Sequence, residues 1–451
     1  MQEGGCVKSR TTEKKPAVVP KGAKQAGEIQ ARWSWVEPGV WTERMLTALE
    51  EGVKGGKWFS LIDKVYSSVT LGIAFRQVKA NKGAAGVDNQ TIEMFEVRLE
   101  ENLNRLSEEL RSGTYQPRAI RRKYIPKLGT KEKRPLGIPT VRDRVVQAAV
   151  RMVLEPIFER DFADESYGFR PGRGCKDALR RVNGLLKEGY TWIVDADLKS
   201  YFDTIPHEGL LKLVGDKVSD GRVLDIIGAF LNQEVMETAK SWTPERGTPQ
   251  GAVLSPLLSN IYLDPLDHHM ARCEVAMVRY ADDFVILCRS EREALKAKLM
   301  IEKWTSENGL TLHPEKTHVV DATQEGGFDF LGYHFERGYH WPRKKSLKKL
   351  KDTIRSQIKR TNGNSLEKII SNINRTLKGW FEYFKHSHRT TFRPLDSWIR
   401  MRLRSILRKR RGGKGRGRGR DHNRWPNAYF AERGLFSLTA AYAEACQSSR
   451  R

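Results

Sequence analysis

Apolar residues recur with helical spacing over much of this chain. One predicted amphipathic helix is marked by four leucines at three- and four-residue steps: Leu99, Leu103, Leu106 and Leu110. Gly113 follows this run and predicts its end, because glycine readily adopts the left-handed conformation of a helix terminus. The same spacing predicts helices over residues 140–158 and 176–187, and short helices between residues 33 and 66.

Two β-hairpins are predicted from short apolar runs that are rich in β-branched and aromatic residues. The runs at 275–278 and 284–287 are separated by a polar stretch that contains the adjacent acids Asp282 and Asp283. Adjacent carboxylates repel each other, so their pairing at a turn suggests a shared cation. Residues 121–139 predict the second hairpin, which carries many basic residues suited to clamping a triphosphate or facing nucleic acid.

A further buried strand is predicted at residues 192–194, and it ends in Asp195 and Asp197. If this strand lies beside the first hairpin, Asp197, Asp282 and Asp283 meet. Three carboxylates without cysteine or histidine favour a hard cation, hence Mg²⁺. Two such ions about 4 Å apart can activate a 3′-hydroxyl and stabilise a leaving pyrophosphate. On the hairpin alone, the alternative is a solvated Asp-Asp turn.

The last third of the chain predicts basic helices. From Ser346 onward, apolar residues recur at three- and four-residue steps: Leu347, Leu350, Ile354 and Ile358. Residues 373–384 predict another helix with aromatic residues among lysines and arginines, a composition suited to RNA. Residues 400–420 contain many cations and no acid, which predicts a flexible phosphate-binding arm, and residues 421–439 predict a small folded patch.

The balance of charged residues indicates what kind of partner the chain binds. The 451 residues include 80 Lys+Arg and 55 Asp+Glu, which leaves a formal net charge of +25 and implies a polyanionic partner such as RNA or DNA. No run of apolar residues is long enough to predict a membrane span or a secretory signal. The five cysteines are scattered without a CxxC pair, so neither a zinc site nor a disulfide frame is expected. A reducing, cytoplasmic location is the default expectation.

Five motifs carry a resemblance to a known family. Residues 197–203 (DLKSYFD) resemble the first catalytic block of reverse transcriptases, and residues 280–283 (YADD) resemble their catalytic hairpin. Between them, residues 247–256 (GTPQGAVLSP) are similar to the block beneath the template and the incoming nucleotide. Residues 134–139 (RPLGIP) and 167–172 (YGFRPG) narrow the match to bacterial group II intron-encoded reverse transcriptase/maturases.

This resemblance extends over roughly residues 79–383 and implies an α+β fold. The implied architecture is a right-hand polymerase with fingers, a palm built on an antiparallel sheet, an α-helical thumb and a basic helical maturase extension. The expected regions, in chain order, are residues 1–30 (a disordered basic tail), 31–185 (an N-terminal extension with the fingers), 186–340 (the palm), 341–400 (the thumb with the maturase X region) and 401–451 (an Arg/Gly-rich arm with a small patch). The chain shows no HNH motif of paired cysteines and histidines, so the resemblance does not imply a DNA endonuclease.

The resemblance also implies residue roles. Asp197, Asp282 and Asp283 would be catalytic metal ligands, assisted by the carbonyl of Leu198. Phe202 would exclude a ribose 2′-hydroxyl and so favour dNTPs. The remaining substrate contacts would be three triphosphate-binding cations and two residues lining the nucleotide and template site: Arg121, Lys127 and Arg134, then Gln250 and Gly251. The primer grip would be Phe330, Leu331, Gly332 and Tyr333.

Other acids and cations are interpreted more simply. Asp195 is interpreted as a hydrogen-bonding strand end and Asp203 as a cap of the helix that follows. Lys316 is either a donor of a proton to pyrophosphate or a solvated lysine. RNA contacts are expected in two places, a Gly/Arg/aromatic loop and the 373–384 helix: Arg170 and Arg173, then Arg375, Lys378 and Trp380.

The expected activity is RNA-templated DNA synthesis with two Mg²⁺ ions, for which Mn²⁺ is a possible substitute. Intron RNA, an RNA template with a DNA primer, dNTPs and target DNA are the expected partners, together with roles in splicing and retrohoming. An RNA-binding splicing cofactor with an idle polymerase and a defence-associated reverse transcriptase stay open as alternatives. An RNA-templated RNA polymerase is a further alternative, against which Phe202 argues. Whether the chain is a monomer or a dimer is also left open.

Overall fold

The computed structural model describes residues 29–126, 133–237, 240–417 and 419–448. The helices are α1 Glu43–Glu51, α2 Ile62–Tyr66, α3 Ser68–Asn81, α4 Ile92–Val97, α5 Leu99–Ser112, α6 Val141–Glu159, α7 Cys175–Lys187, α8 Tyr201–Thr204, α9 His207–Gly215, α10 Gly221–Leu231, α11 Ser255–Arg272, α12 Glu291–Glu307, α13 Lys344–Gln357, α14 Leu366–Phe384, α15 Phe392–Arg410, α16 Arg420–Arg424, α17 Asn427–Ala431 and α18 Leu438–Ser448. The strands are β1 Ile120–Pro126, β2 Lys133–Ile138, β3 Trp192–Asp197, β4 Val235–Glu237, β5 Lys240–Trp242, β6 Ala276–Tyr280, β7 Asp283–Cys288, β8 His318–Asp321, β9 Phe328–Phe330, β10 Tyr333–Glu336 and β11 Tyr339–Pro342.

The central sheet has the order β6-β7-β3-β8, and every neighbouring pair in it is antiparallel. Its strands are rich in Val, Ile and Phe, which pack between helices on both faces and explain the uninterrupted apolar runs. This sheet is the predicted palm. The predicted catalytic hairpin is confirmed, since β6 and β7 pair with Tyr280 opposite Asp283.

A second sheet has the order β2-β1-β4-β5 and contains the predicted basic hairpin, whose strands β1 and β2 are antiparallel. Side chains alternate between its two faces. Because Ile125 pairs with Arg134 and Arg121 with Ile138, Arg121 and Arg134 share one face. Arg122 and its partner Gly137 lie on the other face.

The helix predictions over residues 99–110, 140–158 and 176–187 are confirmed by α5, α6 and α7. Gly113 ends α5 with φ of 78°, the left-handed conformation that its position predicts. Of these helices, α5 and α6 share one large apolar core with the palm sheet.

The C-terminal helices α13, α14 and α15 have a second core, formed by their buried isoleucines, leucines and phenylalanines. The predicted flexible arm is wrong over residues 400–410, which belong to α15. Leu403 and Ile406 are fully buried there, and Arg404 donates from Nε to the carbonyl of Trp425 at 2.8 Å. The apolar positions among these arginines supply a packed face that the charge count concealed.

A third sheet, in the order β11-β10-β9, joins these two bodies. Its aromatic side chains pack in a third core with α7 and with Phe384 from the end of α14. Among the helices in the described part of the chain, none combines the length and apolar character needed to cross a membrane.

Candidate active site

The strand register brings the predicted catalytic acids to one edge of the palm. Asp197 ends β3 and lies directly opposite Asp283 of β7, so the two residues are antiparallel neighbours. Asp282 precedes Asp283 in the turn between β6 and β7. Asp195 pairs with Val285 two positions deeper and faces the same side as Asp197, because side chains alternate along a strand.

A buried ion pair supports the catalytic turn from beneath. Arg279 is fully buried and donates from Nε to Asp267 Oδ1 at 2.7 Å and to Oδ2 at 3.0 Å. Its other nitrogens donate to Asn260 Oδ1 at 3.0 Å, Ser166 Oγ at 2.8 Å and the carbonyl of Ala281 at 2.9 Å. The guanidinium therefore ties the turn to α11 and to the loop before α7. Sequence reasoning missed this pair, because nothing in the chain links Asp267 to Arg279.

The turn is also held by a close backbone approach. Ala281 has φ of 60°, an uncommon left-handed conformation for a residue with a side chain. A Cβ on Gly168 would lie 2.3 Å from the nitrogen of Ala281, so only glycine fits there. The carbonyl of Gly168 accepts a hydrogen bond from Asn260 Nδ2 at 2.8 Å. The predicted Gly/Arg loop thus serves as a support for the catalytic turn.

The acids repel one another in a partly desolvated place. Burial, followed by the charges of Asp195, Asp282 and Asp197, raises the pKa of Asp283 to about 7. Burial and the charges of Asp329 and Asp197 raise the pKa of Asp195 to about 7. The pKa of Asp282 is also raised by burial, with nearby Arg134 partly opposing the rise. Asp195 therefore belongs electrostatically to the cluster, although its sequence position suggested only a strand end.

The donor set fits a hard divalent cation, with one rearrangement. Among the described residues, no three acidic, histidine or cysteine side chains already surround a common ion position. In this arrangement Lys316 Nζ forms an ion pair with Asp197 Oδ2, so a cation ligated by that oxygen has to displace the lysine. The mutual repulsion of the clustered carboxylates would be relieved by a bound cation.

The carbonyl of Leu198 is available to such a cation. Leu198 and Leu312 form an isolated antiparallel bridge. The flanking hydrogen bonds run from the nitrogen of Lys199 to the oxygen of Thr311 at 2.8 Å and from the nitrogen of His313 to the oxygen of Asp197 at 2.7 Å. In this non-hydrogen-bonded pair, the carbonyl of Leu198 faces away from Leu312, on the side where β7 and its turn lie.

A cavity of about 210 Å³ lies beneath the basic hairpin. Phe202 and Gln250, both predicted to contact the nucleotide, line it together with Arg122. Arg121 and Arg134 are on the opposite face of their sheet, and Arg134 is near Asp282 instead. Lys127 lies outside the described residues. Sequence reasoning missed Arg122, whose guanidinium carbon lies 5.0 Å from the centre of the Trp242 ring.

Asp203, which lines this cavity, and Gly251, which follows the cavity residue Gln250, have local roles that the structure defines. Asp203 does not cap the helix that follows: it lies within α8, and no side chain caps α9. Instead it lines the cavity beside Arg122, and burial raises its pKa while Arg122 opposes the rise. Gly251 has φ of 103°, and a Cβ there would lie 2.9 Å from the carbonyl oxygen of Gly137, so this close backbone approach requires glycine.

The predicted primer-grip residues form the tight turn between β9 and β10. Leu331 and Gly332 both have left-handed backbones, with φ of 47° and 85°. The hydroxyl of Tyr383, in α14, donates to the carbonyl of Leu331 at 2.7 Å. Reciprocally, the hydroxyl of Tyr333 donates to the carbonyl of Tyr383 at 2.5 Å. The C-terminal helices therefore fix a turn that belongs to the polymerase body.

The two predicted RNA-binding groups differ in accessibility. Arg170 is buried, and its guanidinium binds Glu159 at 2.8 Å and the carbonyl of Ser166 at 2.9 Å, so its predicted RNA contact is replaced by a structural role. Arg173 binds the carbonyl of Asp164 at 2.7 Å and keeps 28% of its side chain exposed. The loop's glycines and arginines brace the catalytic turn, a function that composition alone did not indicate.

The predicted RNA-binding face of α14 is exposed in part. Arg375 and Lys378 are exposed, whereas Trp380 is partly buried, with its ring centre 4.8 Å from that of Phe384. The cations of this helix therefore reach solvent while its aromatic rings contribute to packing.

Two family models match the chain. Residues 125–335 match the reverse transcriptase (RNA-dependent DNA polymerase) family, and residues 347–425 match the maturase-specific domain of group II introns. The first match contains all three predicted catalytic aspartates, and the second contains most of α13 and all of α14 and α15.

Individual proteins show the same relationship. Protein YkfC of Escherichia coli K12 is 34% identical, over 68% of this chain and 86% of that protein. The group II intron-encoded protein LtrA of Lactococcus lactis subsp. cremoris is 39% identical over 46% of this chain, which spans 34% of LtrA. Among solved structures, a partial Cas6-RT-Cas1--Cas2 complex has a TM-score of 0.37 at 24% identity, over 55% of this chain and 41% of that one.

Proposed function

The chain belongs to the family of reverse transcriptases that carry a group II intron maturase domain, and from this premise we propose that Asp197, Asp282 and Asp283 catalyse its RNA-templated DNA synthesis. The observation that carries the assignment is the strand register that sets Asp197 opposite Asp283 at the edge of the palm.

The three aspartates and the carbonyl of Leu198 would hold two Mg²⁺ ions, with Mn²⁺ as a possible substitute. When bound, these ions would supply activation of the primer 3′-hydroxyl and charge neutralisation for the leaving pyrophosphate. Arg279 keeps the turn rigid, so that Asp282 and Asp283 are positioned before substrate arrives. Arg121 and Arg134 would bind the triphosphate, as would Lys127, and the Leu331–Gly332 turn would hold the primer end.

The maturase role would use the C-terminal helices. We propose that intron RNA binds along the exposed cations of α14, including Arg375 and Lys378, by phosphate contacts. The remaining proposed partners are an RNA template with its DNA primer, dNTPs and the target DNA of retrohoming. A cytoplasmic location, where these nucleic acids occur in a bacterium, is part of the same proposal.

Primer extension tests the polymerase assignment directly. The purified full chain should incorporate dTTP on poly(rA) primed with oligo(dT) when Mg²⁺ is present, and should stop when EDTA is added. Absence of incorporation with both Mg²⁺ and Mn²⁺, by a chain that still binds intron RNA, would leave only the splicing-cofactor role.

Phe202 provides a sharper test of substrate choice. Its ring lines the cavity beside Gln250, where it would collide with a ribose 2′-hydroxyl. Replacing Phe202→Ala should raise rNTP use relative to dNTP use by about 10- to 100-fold, because a steric barrier of this size is worth a few kcal/mol. The measurement is the ratio of kcat/KM for dTTP and UTP on the same template. An unchanged ratio would remove Phe202 from the role of discriminator.

A further inference from the structure

A cavity of about 230 Å³ lies behind the primer-grip turn, where the palm meets the C-terminal helices. Its lining comes from α7, from the sheet of β9, β10 and β11, and from the end of α14. Of the residues assigned above to nucleotide addition, only Tyr333 lines it, so this cavity is separate from the nucleotide site at Phe202.

The walls are aromatic. Tyr333 and Phe335 are buried, 2% and 3% exposed, with Tyr383 beside them. The ring centre of Tyr333 lies 5.9 Å from that of Tyr383, and the ring of His340 lies 5.4 Å from that of Phe335. The buried rings of Tyr333 and Phe335 form the floor of the cavity, and the partly exposed rings of Tyr383 and His340 are the surfaces against which a flat ligand ring can stack.

The rim is cationic. Lys176 and Arg180 are exposed on successive turns of α7, and His386 faces them from beyond α14. Burial lowers the pKa of His386, and the nearby charges of Lys385 and Lys176 lower it further, which indicates a positive field. Arg180 Nη1 donates to Asp177 at 2.6 Å, which leaves its other nitrogens for a ligand. No residue that lines the cavity is acidic.

We propose that this cavity binds a nucleotide, with the base against the rings of Tyr383 and His340 and the phosphate at Lys176 and Arg180. A flat ring and a phosphate joined in one ligand match the aromatic walls and the cationic rim together. A free nucleotide and a nucleotide within an RNA chain share this chemistry. The site does not depend on the proposed polymerase mechanism, since none of the three catalytic aspartates lines it.

Fluorescence titration of the full chain with 1,N6-ethenoadenosine 5′-monophosphate tests the proposal. EDTA is included so that no divalent cation recruits the probe to the aspartates. We expect saturable binding that weakens by about tenfold or more in the Lys176→Ala/Arg180→Ala variant, because both charge-assisted contacts to phosphate are lost. Arg181→Ala is the matched control: it removes an exposed cation from the same helix without touching the cavity lining, and should leave the affinity unchanged.

A second variant tests whether the ligand enters the cavity, independently of the charges at its rim. Asn183 lines the cavity and is partly exposed, so Asn183→Phe fills the space without altering charge and should abolish binding. A short oligoadenylate RNA is titrated in parallel. If the variants lose binding of both ligands, the site is open to free nucleotides. If they lose binding of the RNA alone, the site takes a nucleotide that is part of an RNA chain.

Absence of binding by both ligands, or binding that Asn183→Phe and Lys176→Ala/Arg180→Ala leave intact, would overturn the proposal. Primer extension on the same preparations reports on the polymerase separately. A chain inactive in that assay can still bind the probe, and an active chain can fail to bind it.

Discussion

The palm concentrates negative charge and the C-terminal helices carry positive charge, and the two regions differ in how closely these charges are spaced and how deeply they are buried. Asp195, Asp197, Asp282 and Asp283 are crowded at neighbouring strand ends, where burial raises the pKa of three of them. The lysines of α13 are instead spread over a solvent-facing side, with Leu350 and Ile354 packed beneath them. Crowded, desolvated charge requires a specific counter-ion, whereas spread charge is screened by water and salt.

This difference separates two kinds of nucleic-acid contact. The palm needs a rigid support, which Arg279 and Asp267 provide, because like charges held together tend to move apart. The basic helices need only their own apolar faces. We therefore expect substitutions in the palm to act through geometry and charge at single positions, and substitutions on the helices to act through the number of cations.

The largest effect is expected at Asp282. Asp282→Asn keeps the side-chain shape but removes a negative charge from the cluster, so kcat for primer extension should fall by about 10³-fold. Asp321→Asn, at the far end of the same sheet where Asp321 pairs with Trp192, is the matched control and should retain activity. RNA binding should be the same in both variants. An Asp282→Asn chain with near-normal kcat would show that the cluster does not act as a unit.

The next effect concerns the support of the catalytic turn. Asp267→Ala leaves the guanidinium of Arg279 buried and unpaired, and should reduce the free energy of unfolding by about 3–5 kcal/mol. Urea denaturation measures this. Lys298→Ala breaks a surface pair with Glu302 at 3.7 Å and should cost less than about 1 kcal/mol. The double variant Asp267→Leu/Arg279→Met should recover much of the loss, and a double variant as unstable as Asp267→Ala would contradict the ion-pair explanation.

A smaller, graded effect is expected on the basic helices. Arg375→Ala/Lys378→Ala should weaken intron RNA binding and lower the slope of log K against log salt by about 1.5, because each phosphate contact contributes about 0.7–0.9. Lys303→Ala removes an exposed cation of α12 and is the matched control. Primer extension on a short template should be unaffected by either change. An unaltered slope in the double variant would place the RNA elsewhere.

Periodicity predicted the palm hairpin, the basic hairpin and the main helices, because each has a local apolar pattern. It also placed Asp197, Asp282 and Asp283, since acids at the ends of strands are visible in the chain. The ion pair of Arg279 with Asp267 was not predictable in this way, because its partners come together only when α11 packs beneath β6.

The same limit explains the errors. Arg170 was assigned to RNA because an arginine in a glycine-rich loop usually faces solvent, but Glu159 holds it inside the protein. Residues 400–410 were assigned to a flexible arm because eleven cations in that region and its tail masked the helical spacing of Leu403 and Ile406. The role of Arg122 is not visible in the sequence, because the arginines of the basic hairpin are distinguished by the face of the sheet that each occupies.

The smallest effect is expected at Tyr383, and it tests whether the C-terminal helices are coupled to the palm through the primer-grip turn. Tyr383→Phe keeps the ring and removes the hydroxyl that donates to Leu331, so it should weaken productive primer binding by about 0.5–1.5 kcal/mol. We expect KM for primer–template to rise about threefold, with kcat and KM for dTTP little changed. Tyr339→Phe, at an exposed position of β11, is the matched control and should leave all three constants alone. A change confined to KM for dTTP would mean that Tyr383 acts on the nucleotide site, and the turn between β9 and β10 would then not be what couples α14 to the palm.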